Sequence, residues 1–129
     1  KQRRSYNNST QFAGIGLAYL LINLMVEDIS ILTREDSLTI AAAEAIGAFV
    51  FTFGIASVVH GKVAEQMSGV VVGASLLMGI MFASIAANGI LNPAVALGIG
   101  SFSLSYVLGP IVGSLIGFNL YHYMFGKKK

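Results

Sequence analysis

Residues 88–98 read Asn88-Gly-Ile-Leu-Asn92-Pro93-Ala-Val-Ala-Leu-Gly98, or NGILNPAVALG, inside a run from Met67 to Gly126 that holds no Lys, Arg, Asp or Glu. An Asn-Pro pair sits badly in the interior of an apolar helix, because proline removes a backbone donor and its ring clashes with the preceding turn. The conflict disappears if a helix starts there. Asn92 is a good N-cap, and Pro93 suits the first helical position, where a missing N–H costs nothing. A helix over Asn92–Phe102 would rise about 16 Å, half a bilayer. Its first N–H groups and the carbonyls before it are tolerable at membrane depth only if they are buried in protein or line a watery cavity. The pair therefore predicts the mouth of a re-entrant half-helix; the plainer alternative is a kink in one long helix.

The surroundings of this stretch are those of a membrane protein. Of 129 residues, 55% are hydrophobic and 11% charged, against about a quarter charged in soluble domains. The mean hydropathy is +0.75. There is no Cys, which excludes disulfides and thiolate metal sites, and no Trp, which leaves Tyr and Phe as interfacial anchors. The formal charge of +2 matters less than its placement. Lys1, Arg3 and Arg4 precede the first apolar run, and Lys127, Lys128 and Lys129 follow the last. Beside spanning helices such clusters set topology, and no nucleic-acid partner is expected. The chain opens on Lys1, as a processed product or part of a longer protein would. A signal peptide is not expected, because a polar stretch separates the basic residues from the apolar run and no small-residue cleavage site follows near Val26.

Apolar runs cover Phe12–Val26, Leu38–Val59, Met67–Leu91 and Leu104–Phe125. A spanning helix needs about 20 residues. The first run reaches that length only with the uncharged polar residues from Asn7 onward. The expected fold is an all-α membrane protein of four transmembrane helices and one re-entrant half-helix. Residues 1–36 would form a basic N-terminus, the first helix and an acidic loop, and 37–129 a second unit around the half-helix. Four spans place both termini on the cytoplasmic side. The loop Glu27–Ser37, with four acids against Arg34, then falls outside, and the turn His60–Ser68 with Lys62 inside.

Three segments carry a family resemblance. Asn92-Pro93-Ala94 is similar to the NPA signature of the aquaporins, the major intrinsic protein family. Ala43-Glu44-Ala45-Ile46-Gly47-Ala48-Phe49 resembles the A-E-x-I-G-T-F segment that opens each aquaporin repeat, with Ala48 for Thr. Gly109-Pro110-Ile111-Val112-Gly113 resembles the Gly-Pro-Ile-x-Gly of the last helix. In the same register, Thr10-Gln11-Phe12-Ala13-Gly14 resembles the Gln-x-x-Gly of the family's third helix.

The resemblance implies a pore in which two half-helices meet at the midplane. Asn92 would donate to passing water or glycerol, and the carbonyls of Asn88, Gly89 and Ile90 would line one wall. Helix dipoles would oppose cations and protons. It also implies that Glu44 accepts backbone N–H groups of the loop. Besides Ala48, the pattern departs from the family at three points: there is a single NPA, Val95 stands where the second loop has Arg, and Asn88-Gly89 replaces the usual Gly-Ala.

Single residues divide between structure and chemistry. Glu44 is the one acid inside a span; besides loop support, an ion or proton site and a headgroup-level acid stay open. His60 reads as interfacial, and His122, between Tyr121 and Tyr123, as part of an aromatic belt, since no second metal ligand is in view. Gly109, Gly113 and Gly117 share one helix face for close crossing, and Gly69 with Gly73 offers another. No Ser-His-acid set, metal spacing or phosphate loop appears, so neither catalysis nor a cofactor or metal is expected. Two functions remain. One is an aquaporin-like channel subunit for water or small neutral solutes, completed within the lipid bilayer by another aquaporin-like repeat. The other is a non-conducting, aquaporin-derived subunit of a larger membrane complex. An identical inverted partner is disfavoured, because its basic ends would lie on the wrong side. The sequence could also be a piece of a longer aquaporin.

Overall fold

The computed structural model describes residues 2–25 and 35–126, the opening part of the first helix mainly as backbone. The regular structure of the described residues is all helical, with no strand among them. The helices are α1 (Gln2–Met25), α2 (Leu38–Val59), α3 (Ser68–Ala83), α4 (Pro93–Gly98) and α5 (Leu104–Phe125), with a short 3-10 turn at Glu65–Met67 before α3. Leu38–Val59, Glu65–Ala83 and Leu104–Phe125 are long and apolar enough to cross a membrane. In α1 the apolar part is Ala13–Met25, only about 20 Å of helix. Most of the acidic loop, Lys1 and the three C-terminal lysines, which help set the expected orientation, lie outside the described residues.

The centre of the molecule is the pairing of α2 with α5. A Cβ added to Gly109 would meet the carbonyl of Ala41, one on Gly113 that of Ala45, and one on Gly117 that of Phe49. Steps of four residues on each helix stay in register in the same direction, so the two run parallel with backbones in contact. Pro110 is fully buried between Gly109 and Ile111, where its absent N–H removes one bond of the α5 ladder. Helix α3 runs antiparallel to α2. Gly47 lies against Gly79, and Gly54 against the side chain of Ser75. By contrast, Gly69 and Gly73 are exposed and would meet nothing within 4 Å. Among the described residues this second glycine stripe packs against nothing, so of the two expected uses, within the protomer or between protomers, the first is not seen there.

Two boundaries also differ from the sequence reading. The third apolar run does not stay helical to Leu91. It leaves α3 after Ala83 through a turn in which Ala87 N donates to Ala83 O, and Gly89 then takes φ +66°. The half-helix over Asn92–Phe102 is shorter than expected, ending at Gly98. Gly100 has φ +74°, its N–H reaches Leu97 O, and Ser101 N–H reaches Ala96 O. This pair of bonds is a Schellman closure, and apolar sequence alone cannot carry the helix past it.

Candidate functional site

The stretch that opened the sequence reading lies against α2 and α5. Asn92 is the N-cap of α4, with extended backbone at φ −151°, and its Oδ1 accepts from Ala94 N at 2.9 Å. Pro93 takes the first helical position. With Oδ1 engaged by the turn, the Nδ2 hydrogens are the donors this side chain offers to anything else. Val95 is exposed on α4, while Ala96 is buried in a cluster with Ile90 and Tyr106.

Residues 88–92 have neither helical nor strand structure, so their N–H groups need partners elsewhere. Glu44 supplies two of them. Its Oε1 accepts from Ile90 N at 3.0 Å and its Oε2 from Leu91 N at 2.7 Å. The residue is 0% exposed and lies six residues into α2, about 9 Å along its axis. A carboxylate at that depth has lost its hydration, which two N–H donors partly replace. Successive N–H groups converging on one anion need left-handed backbone beside them. Gly89 provides it without strain, but Leu91 does so at φ +55°. A leucine there costs about 1–2 kcal/mol, and its side chain wedges between Gly47 and Gly79 at the α2–α3 crossing. The third N–H, that of Asn88, donates to the hydroxyl of Tyr106 at 3.3 Å. Tyr106, 1% exposed on α5, closes the joint from the other side.

A second carboxylate binds backbone at the rim of the same helix pair. Asp36, just ahead of α2, accepts from Ser105 N in the first turn of α5 at 2.8 Å. The Ser105 hydroxyl donates to Ser37 O and accepts from Ser37 N, both at 3.1 Å. Ser37 in turn caps α2 by accepting from Ile40 N. The Ser105 N–H, above all, holds the exposed Asp36 carboxyl below the usual aspartate range.

At the opposite end of the helix pair, His60 and His122 meet, with His60 Nε2 3.0 Å from His122 Nδ1. The His60 ring leans on Phe118 and Tyr121, and Phe53 meets Tyr121 edge-on. Among the described residues, no group of three or more His, Cys, Asp or Glu side chains is arranged to hold a metal ion.

The structure thus brings Glu44 to the Asn88–Asn92 stretch, and Gly109, Gly113 and Gly117 to α2. Among the described residues, nothing meets Gly69 or Gly73. Sequence reasoning missed Tyr106, Leu91 and the histidine pair. Tyr106 lies 18 residues from its partner without a spacing to betray it, and nothing in a leucine's identity announces a positive φ. No family model, no curated protein and no solved structure matches this chain.

Proposed function

We propose that the chain is an aquaporin-like channel subunit for water or small neutral solutes such as glycerol, and not an enzyme. It contributes one half of a pore, and a second repeat of opposite orientation contributes the other. In this reading α1 is the fourth span, with its polar first half reaching into the headgroups. Helix α4 is then the re-entrant half-helix, presenting Asn92 to the solute, and Asn88–Ile90 offer their carbonyls beside it.

The observation that carries the proposal is the buried Glu44 carboxylate. It holds the N–H groups of Ile90 and Leu91 so that a non-helical segment with an Asn at its end persists among apolar helices. Irregular backbone at membrane depth needs such an anchor, because no water is there to satisfy its N–H groups. The competing reading, a non-conducting structural subunit, uses the same anchor and differs at the opposite face.

Liposome swelling separates the two. The purified chain alone should be nearly impermeable, and co-reconstitution with an aquaporin first-repeat segment should raise osmotic water or glycerol flux. Fast swelling by the chain alone would refute the half-pore mechanism. If no inverted repeat raises flux, the structural-subunit reading takes its place.

A further inference from the structure

The geometry points to a second site, unrelated to the loop: His60 and His122 form a two-nitrogen chelate for a late first-row divalent cation of the Cu2+ or Ni2+ kind. His60 is the C-cap of α2, and its Nδ1 lies 2.8 Å from Ala56 O. That contact requires the proton on Nδ1, so Nε2 carries the lone pair. Backbone carbonyls acting on the far nitrogen are how ligand imidazoles are commonly oriented. His122, one helix away, puts Nδ1 3.0 Å from that lone pair. With metal–nitrogen bonds of about 2.0–2.1 Å, two ligands at right angles lie about 2.9 Å apart, the cis spacing of the tetragonal geometry that Cu2+ and Ni2+ favour.

As the rings stand, their nitrogens share a proton, His122 Nδ1–H donating to His60 Nε2. A metal ion replaces that proton after a swing of the exposed His122 ring. Three features make the chelate a built one. The Gly109, Gly113 and Gly117 contacts fix the two helices that bear the ligands, so little conformational freedom is lost on binding. Gly126 keeps the ligating edge of His122 clear, since a Cβ there would come within 2.9 Å of Nδ1. His60 packs on the rings of Phe118 and Tyr121, which wall one side, while His122 is exposed on the other. Water completes the coordination.

The test is a titration of the purified chain in detergent with Ni2+, read by calorimetry, and with Cu2+, read by electron paramagnetic resonance. Wild type should bind one ion and show two imidazole nitrogens on Cu2+. His60→Ala and His122→Ala should each weaken Ni2+ binding by about 10²-fold, the advantage of making the second ligation intramolecular. His122→Ala changes an exposed side chain, so folding does not confound that arm. Equal affinity in wild type and the single variants would overturn the site. So would binding that survives in the double variant, which would place the ion elsewhere in the chain.

Discussion

Glu44 and Asp36 do the same chemistry in two places. Each is a carboxylate at or near the start of α2 that accepts backbone N–H groups from a later segment, and each fixes where that segment begins. Glu44 takes two N–H groups at 0% exposure, whereas Asp36 takes one at the exposed rim. If either is removed, the difference lies in what replaces it. Water reaches the Asp36 carboxylate, although Ser105 itself is buried, whereas Glu44 and both residues it holds are all buried. A hydrogen bond's contribution is small when solvent can substitute and large when a buried donor is left alone. Of the two, the buried carboxylate should hold the fold together and the exposed one should trim its edge.

The sharpest way to break this comparison is Glu44→Ala, which strands two buried donors at about 1–3 kcal/mol each. It should cause the largest fall in thermal unfolding temperature in detergent, and unchanged stability would remove Glu44 from the role given to it. Glu44→Gln refines the point. The amide keeps the volume but offers one acceptor and one donor where the loop needs two acceptors, so it should lie between wild type and Glu44→Ala.

Tyr106→Phe should come next. It deletes only the hydroxyl that accepts from Asn88 N, at a cost of about 0.5–1.5 kcal/mol. A loss as large as that of Glu44→Ala would mean that the tyrosine, and not the carboxylate, is the main anchor. Asp36→Asn should have the smallest effect, within the scatter of surface substitutions.

The pH dependence of the rim contact has a defined sign. Because folding lowers the Asp36 pKa, its contribution is fully present above the unfolded value of about 3.9. It is lost as pH falls through the lower folded value. Wild type and Asp36→Asn should therefore differ above about pH 4 and converge in stronger acid. A difference that grows in acid would reverse the assignment.

Parts of this arrangement are legible in the sequence because they rest on local chemistry. Three spans follow from length and hydropathy, the α4 start from an N-cap followed by proline, and the α5 glycine face from four-residue spacing. Other parts depend on where the chain goes next. Gly69-x-x-x-Gly73 has the same spacing as Gly109-x-x-x-Gly113, yet only the second meets a backbone, because spacing specifies a small-residue face without specifying a neighbour. The end of α4 at Gly98 is set by the left-handed Gly100, and α3 stops at Ala83 in a right-handed turn; hydropathy registers neither. The wedge of Leu91 and the meeting of His60 with His122 are products of tertiary packing alone.

The central claim is that Glu44 holds the loop so that Asn92 can face a solute. Its most direct measurement is osmotic flux through liposomes containing the chain with an inverted first repeat, comparing wild type with Asn92→Leu. The substitution removes the Nδ2 donor and also the N-cap, which accounts for about 1 kcal/mol of stability, so circular dichroism should first show that the helices persist. With the helices intact, flux should fall strongly while assembly with the partner repeat is unchanged. Flux that stays at the wild-type level would contradict the account, because solute would then be crossing by a path that Asn92 does not line.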